Sequence, residues 1–263
     1  MTAKSETTSA IVPEIEFAQV GKSFVRSSGG APFEAIRDLS FTVSRGELVA
    51  ILGKTGCGKS TTFGLISGLM RPSRGRVSVQ GHDPYGEFNW FRGKIGIVFQ
   101  HDRLMPWRSA LDNVALGLEL NRLGREERYA IARAWLERLG LKGHERDFPH
   151  ALSGGMRQRI GIARAFAVKP AILLCDEPFS GLDAVTGDAL RREFAELVRE
   201  TGCTGVFITH SIEEALQLGR RILVFQRPAR IVYEAALGPA ASAAVLARTR
   251  ADIRRALGGD ADA

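Results

Sequence analysis

Residues Gly53-Lys54-Thr55-Gly56-Cys57-Gly58-Lys59-Ser60 restrict this chain more than any other stretch. They fit G-x-x-x-x-G-K-[ST], follow the apolar run ELVAIL at 47–52, and open a helix-like stretch from Lys59 to Met70 that stops at Arg71-Pro72. A buried strand running into a glycine-rich turn and then a helix points successive N–H groups inward, with the positive end of the helix dipole behind them. Such a loop holds phosphate oxygens. Lys59 is placed to reach the outer phosphates, and Ser60 to offer its hydroxyl to Mg²⁺.

Around this unit the periodicities describe an α/β fold. Residues 14–20 (EIEFAQV) and 39–43 (LSFTV) alternate apolar with polar, with the turn chemistry RSSGGAP between them, so the chain begins as a small antiparallel sheet. A further strand pair is expected at 76–80 and 95–99. From Ala110 to about Ala167 nearly everything reads as helix, an inserted helical subdomain. Apolar runs at 171–175, 205–209 and 221–225 alternate with helical stretches after it, which implies a parallel sheet with right-handed crossovers. The polar start, MTAKSETTSA, lacks the apolar core of a secretion signal and is expected to be a flexible tail.

Two more stretches carry chemistry. Ile172-Leu173-Leu174-Cys175-Asp176-Glu177 is an apolar strand ending in two carboxylates, and in open α/β sheets the carboxyl end of a strand is where ligands bind. Asp176 suits Mg²⁺ there, and Glu177 suits polarising an attacking water. Leu152-Ser153-Gly154-Gly155-Met156-Arg157-Gln158-Arg159 is either an ordinary helix N-cap or a second anion cradle made of a serine hydroxyl, glycine N–H groups and a helix N-terminus.

With these strings in view, the chain resembles the ATP-binding subunits of ABC transporters. Gly53–Ser60 corresponds to the Walker A loop, Gln100 to the Q-loop, Leu152–Gln158 to the family signature, Ile172–Glu177 to the Walker B strand, Ser180-Gly181-Leu182-Asp183 to the D-loop and His210 to the switch histidine. The resemblance implies a P-loop NTPase core with a mostly parallel sheet, an antiparallel β-subdomain and an inserted helical subdomain at about 101–167. The whole cassette would span 14–238, after a tail at 1–13 and before a basic, alanine-rich tail at 239–263. It implies ATP as ligand, with Glu177, His210, Lys59 and Gln100 catalytic. Phe24 and Gly53, Lys54, Thr55, Gly56, Cys57, Gly58, Lys59, Ser60 and Thr61 would bind the nucleotide. Ser153, Gly154, Gly155 and Gln158 would join them, and Ser60, Gln100 and Asp176 would hold Mg²⁺. Two subunits face head to tail in this family, so a homodimer is expected, with Ser153, Gly154 and Gly155 reaching the γ-phosphate across the interface. Permease subunits are the expected membrane partner, an external solute-binding protein an indirect one, and nucleic acid not a partner. The expected location is peripheral, at the cytoplasmic face of the inner membrane.

Finer features narrow this further. The run Val98–Val114, with Leu104-Met105-Pro106-Trp107, and the later Gln226-Arg227-Pro228-Ala229-Arg230 resemble the importer branch for nitrate, sulfonate and taurine. Met105 and Trp107 either form an apolar groove for a permease helix or pack inside the subdomain. Phe24 would stack on adenine or else pack in the β-subdomain. Cys57, at a helix N-terminus, would have a depressed pKa and react with alkylating reagents, or else fill space. A soluble ABC ATPase of DNA repair or translation is the alternative, though those carry two nucleotide modules or a long coiled-coil insertion.

Composition removes other classes. No stretch approaches the roughly 18 apolar residues of a membrane helix. Three cysteines, Cys57, Cys175 and Cys203, are too few for a disulfide framework and favour a reducing compartment. Lys plus Arg number 36 and Asp plus Glu 29, a net +7. From Gly219 onward eight arginines face four acids, so 8 − 4 places +4 at the carboxyl end, free to lie near anionic lipid or a permease. No motif lies beyond about residue 238, so its removal is expected to leave activity intact.

Overall fold

Alternating burial builds the first sheet of the computed structural model, which describes residues 13–25, 32–238 and 241–258. Strand β1 (Ile15–Phe24) turns Ile15, Phe17 and Val20 inward and pairs antiparallel with β2 (Phe33–Val43). The Phe17 and Phe41 rings stack between them at 4.5 Å. The tail expected at 1–13 lies outside the described residues up to 12, as does most of RSSGGAP.

Continuous burial builds the second sheet. All six residues of β3 (Leu48–Gly53) and of β7 (Thr204–Thr209) are buried, as a parallel sheet covered on both faces requires. With β5 (Ile95–Val98), β6 (Ile172–Asp176), β8 (Arg221–Gln226) and β9 (Arg230–Ala236), the strand order is β5-β6-β7-β3-β8-β9, and only β9 runs antiparallel. On β3, Val49 and Ile51 face the core shared with the antiparallel sheet, while Leu48, Ala50 and Leu52 face the core shared with the helices.

The helices are α1 (Lys59–Ile66), α2 (Ala110–Leu120), α3 (Arg125–Arg138), α4 (Gly154–Ala167), α5 (Ala184–Thr201), α6 (Ile212–Leu218) and α7 (Ala243–Ala256). Val114, Leu118, Leu136 and Ile160 of α2, α3 and α4 join the same core as Leu173 and Phe207 of the sheet.

Three expectations change. The strands anticipated at 76–80 and 95–99 do not pair: β4 (Arg74–Val79) completes the antiparallel sheet beside β1, and β5 lies at the edge of the parallel sheet. In β5, Gly96 lets α4 pack closely on the strand, since a Cβ there would stand 2.7 Å from the Ala165 carbonyl oxygen. The helical stretch breaks after α3, where Gly140 and Gly143 adopt left-handed φ of 68° and 92° and Pro149 follows. The carboxyl-terminal segment read as a tail holds α7, capped by Ser242, whose hydroxyl accepts from the Val245 N–H at 3.4 Å. Helix α7 buries Thr249 and Ile253. It is tied down by Arg250, which donates twice to Glu213 at 2.8 and 2.7 Å, and by the Gln226 amide, 3.0 Å from the Ala256 carbonyl. Part of the basic excess of this segment is therefore engaged inside the protein.

Ile253 is fully buried in the larger core, so Ile253→Ala is expected to cost about 2–4 kcal/mol. A lowered denaturant midpoint with unchanged slope would show this, and deletion of everything after residue 238 should lower it further and reduce activity. A midpoint equal to that of the parent in both variants would return α7 to the status of a dispensable tail.

Candidate nucleotide site

Gly53 closes β3 between β7 and β8 and pairs with Phe225. A Cβ on Gly53 would lie 2.5 Å from the Cys57 Sγ and 2.8 Å from the Phe225 carbonyl oxygen. Gly58 takes φ of +105°, and a Cβ on it would meet the Ala229 Cβ at 2.6 Å and the Ala35 carbonyl oxygen at 2.8 Å. No side chain fits either position, so the loop backbone is held close to its neighbours, and within it the Cys57 N–H donates to the Lys54 carbonyl at 3.2 Å. Lys59 opens α1 with only 6% exposure; its ammonium donates to the Gly53 carbonyl at 2.6 Å and lies 4.0 Å from a Glu177 oxygen.

Strand β6 delivers the carboxylates. The Glu177 N–H donates to the Ile208 carbonyl at 2.9 Å, continuing the β6–β7 ladder by one residue, while its φ of 46° is a costly value for a side-chain-bearing residue. In this turn Glu177 Oε2 stands 2.9 Å from His210 Nδ1. Burial, and then the neighbouring Glu177 charge, push the Asp176 carboxyl above its ordinary pKa, against the opposing pull of Lys59 and Arg103.

A chain of hydrogen bonds fixes His210 from behind. Thr209 Oγ1 accepts from the Ser211 N–H at 2.9 Å and donates to Glu214 at 2.6 Å, and Arg191 of α5 reaches the other Glu214 oxygen at 3.5 Å. Helix α5 is itself capped by Asp183, which accepts from the Thr186 N–H at 3.0 Å.

Thr55, Gly56, Gly58, Lys59, Ser60, Thr61, Gln100, Asp176 and Glu177 line one cleft of about 510 Å³. Ser60, Gln100 and Asp176 supply a hydroxyl, an amide carbonyl and a carboxylate, the oxygen donors that suit Mg²⁺. Mg²⁺ dehydrates reluctantly, so water as well as phosphate oxygens would fill the positions that these three side chains leave open.

Other expected site residues stand apart. Ser153 and Gly154 are exposed at the start of α4, where the Ser153 hydroxyl accepts from the Met156 N–H at 3.3 Å, and neither they nor Gly155 line this cleft. Gln158 is 5% exposed and donates to the Phe99 carbonyl at 3.2 Å, so its amide ties α4 to the residue before Gln100. Cys57 corrects the expectation of a reactive thiol: it is 3% exposed, and burial pushes its pKa up, outweighing the Lys59 charge. Phe24 is 38% exposed and pairs with Phe33, and the ring that lines the cleft is Phe33, together with Arg227. Phe33 and Arg227 went unassigned at the sequence level. The turn containing Arg227 was visible as a motif, but nothing in the sequence showed that it meets the start of β2.

A protein-family model described as ABC transporter matches residues 36–180, more than half of the chain. The chain belongs to the ABC transporter family. The taurine import ATP-binding protein TauB of Pseudomonas aeruginosa is 46% identical over 198 residues, covering 75% of this chain and 74% of that protein. Its namesake in Burkholderia pseudomallei is 44% identical over 217 residues, covering 82% of each. Among solved structures, a dimeric ATP-binding cassette in a post-hydrolysis state, bound to ADP and Pi, superposes with a TM-score of 0.76 at 33% identity, covering 85% of this chain and 99% of that one. ABC ATPase cassettes share this fold, and the chain is an ATP-binding ATPase subunit.

A carboxyl whose pKa is higher folded than unfolded destabilises the fold as pH rises past its unfolded value, and the cost disappears below it. Asp176→Asn should therefore melt above the parent at pH 7 without nucleotide, while losing ATPase activity. The gap should close as the pH approaches about 4. A variant that melts below the parent at pH 7 would refute the strain assigned to Asp176.

Proposed function

We propose that this subunit is the motor of an importer for a small sulfonate-like or other anionic solute, in which two copies close on ATP, hydrolyse it and drive a membrane permease. The observation that carries the hydrolytic part is the meeting of Glu177, His210 and Lys59 at the mouth of one phosphate loop, with contacts of 2.9 and 4.0 Å. Lys59 and the N–H groups of residues 53–61 bind the phosphates. Glu177 accepts a proton from the attacking water, and His210 holds that water and the γ-phosphate. Ser60, Asp176 and Gln100 would hold Mg²⁺, which when bound neutralises charge on the β- and γ-phosphates.

The exposed Ser153-Gly154-Gly155 cradle fits the far side of a nucleotide held by a second copy, because it does not line the cleft of its own chain. Head-to-tail closure supplies each site with its missing wall. For the permease, an apolar cleft of about 340 Å³ lies between α2 and the segment before β5. Phe88 and Leu120 line it and are 55% and 61% exposed, which suits a short apolar helix. Trp107, 72% exposed before the other end of α2, would be a separate apolar contact. No helix among the described residues is long and apolar enough to cross a membrane, and a peripheral position on the cytoplasmic side agrees with such docking. The solute class rests on the taurine import relatives at 44–46% identity, and capture of that solute would belong to an external binding protein.

Glu177→Gln is the direct test. It should bind ATP at least as tightly as the parent, release phosphate roughly 10²–10⁴-fold more slowly, and run as a dimer in ATP on a sizing column. Parental turnover in that variant would remove Glu177 from the role of base.

A further inference from the structure

The turn that joins β8 to β9 presses on the phosphate loop from the side opposite the carboxylates' strand pair. Ala229 is fully buried beneath Gly58; its N–H donates to the Ala35 carbonyl at 2.8 Å, and its own carbonyl accepts from the Arg37 N–H at 3.1 Å. These bonds root the turn on β2. Two residues before Ala229, Arg227 rises into the cleft, and two residues before Ala35, Phe33 lines the same cleft. The Arg227 guanidinium carbon lies 4.8 Å from the centroid of the Phe33 ring. A planar cation is thus laid on an aromatic face, on a rigid base, within the cleft that also contains Lys59 and Ser60.

We propose that Arg227 is a nucleobase contact: its guanidinium plane, supported by Phe33, is the wall against which the purine of the bound nucleotide packs. This rests on the ATP-binding reading above and assigns to that site a residue it did not include. The phosphate end of the cleft is already occupied by Lys59 and the loop N–H groups. Phe33 stands two residues, about 7 Å, along β2 from the carbonyl under Gly58, which leaves it and Arg227 at the end away from the loop. A guanidinium stacks on the π-face of a base as it does on Phe33. Every purine offers that face, so the contact supplies affinity without choosing adenine over guanine. Phe24, with the Lys22 ammonium 5.1 Å from its ring, is the β1 partner of Phe33 in the β1–β2 register.

The test compares a ligand that has a base with one that does not. Equilibrium binding of ATP, GTP and inorganic tripolyphosphate is measured for the full chain and for Arg227→Ala, Arg227→Lys and Phe33→Leu. Arg227→Ala should weaken ATP and GTP alike, by about ten-fold, and leave tripolyphosphate unchanged. Arg227→Lys keeps the charge but not the plane, and should recover less than half of that loss on a logarithmic scale. Phe33→Leu, which keeps apolar bulk without the ring, should show the same base-selective weakening and covers the case in which Arg227→Ala does not fold. Equal weakening of tripolyphosphate would make Arg227 a phosphate contact or a prop for the loop, and unchanged ATP affinity would remove it from the site; either overturns the proposal. If the parent chain binds tripolyphosphate but not ATP, it is the nucleotide reading itself that falls.

Discussion

Gly58 meets the Ala229 methyl and the Ala35 carbonyl across a gap that would not admit one further carbon atom. Three parts of the molecule converge there: the phosphate loop, the antiparallel sheet through β2, and the β8–β9 turn. Each alone would be a mobile surface feature. The loop is irregular, the three-stranded sheet is small, and the turn stands at a sheet end. Packed against one another, and anchored by β3 at the centre of the buried sheet, they fix the position from which Lys59 and Ser60 begin α1. The orientation of the phosphate-binding N–H groups is thus a property of tertiary contact more than of the loop's own sequence, and close packing makes such a junction intolerant of added volume.

Charge is arranged at this junction at some expense to the fold. Asp176 and Glu177 are adjacent and partly withdrawn from water, Glu177 occupies a left-handed backbone conformation, and Lys59 turns its ammonium toward loop carbonyls and the Glu177 carboxylate. Like charges side by side and a strained turn both raise the energy of the free protein. A cation bound beside the two carboxylates would relieve the first of these terms, because it brings charge of the opposite sign to them, and would leave the backbone conformation of Glu177 as it is. Ligand binding and stability are therefore coupled through the same residues.

Much of this was legible in the sequence where local chemistry sufficed. The run 47–60 fixed strand, loop and helix, because an unbroken apolar stretch, glycines at defined offsets and Lys59 each admit few alternatives. The parallel strands β6, β7 and β8 were visible for the same reason. What escaped depended on contacts between distant segments. Partner choice for β4 and β5 could not be read, since periodicity says that a residue run is extended but not which edge it joins. Helix α7 hid in an alanine- and arginine-rich stretch whose apolar positions are sparse; only Ile253 and Thr249 are buried. Of the two readings open for Cys57, the reactive one rested on its visible place at a helix N-terminus, and its burial against Gly53, which favours the space-filling one, was not apparent. That Phe33 lines the cleft was hidden in the same way, by the turn between β1 and β2.

Helix α5 is capped by Asp183 and continues for 18 residues, about 27 Å of unbroken helix. Its first turn is set by the loop directly after the carboxylates, and its middle carries Arg191, which holds Glu214 and, through Thr209, the backbone around His210. A rod of this length does not bend appreciably under thermal forces, so it acts as a lever with its handle at the exposed D-loop and its load at the histidine. A displacement of the surface between Gly181 and Asp183 would in this way be carried along α5 to the backbone around His210.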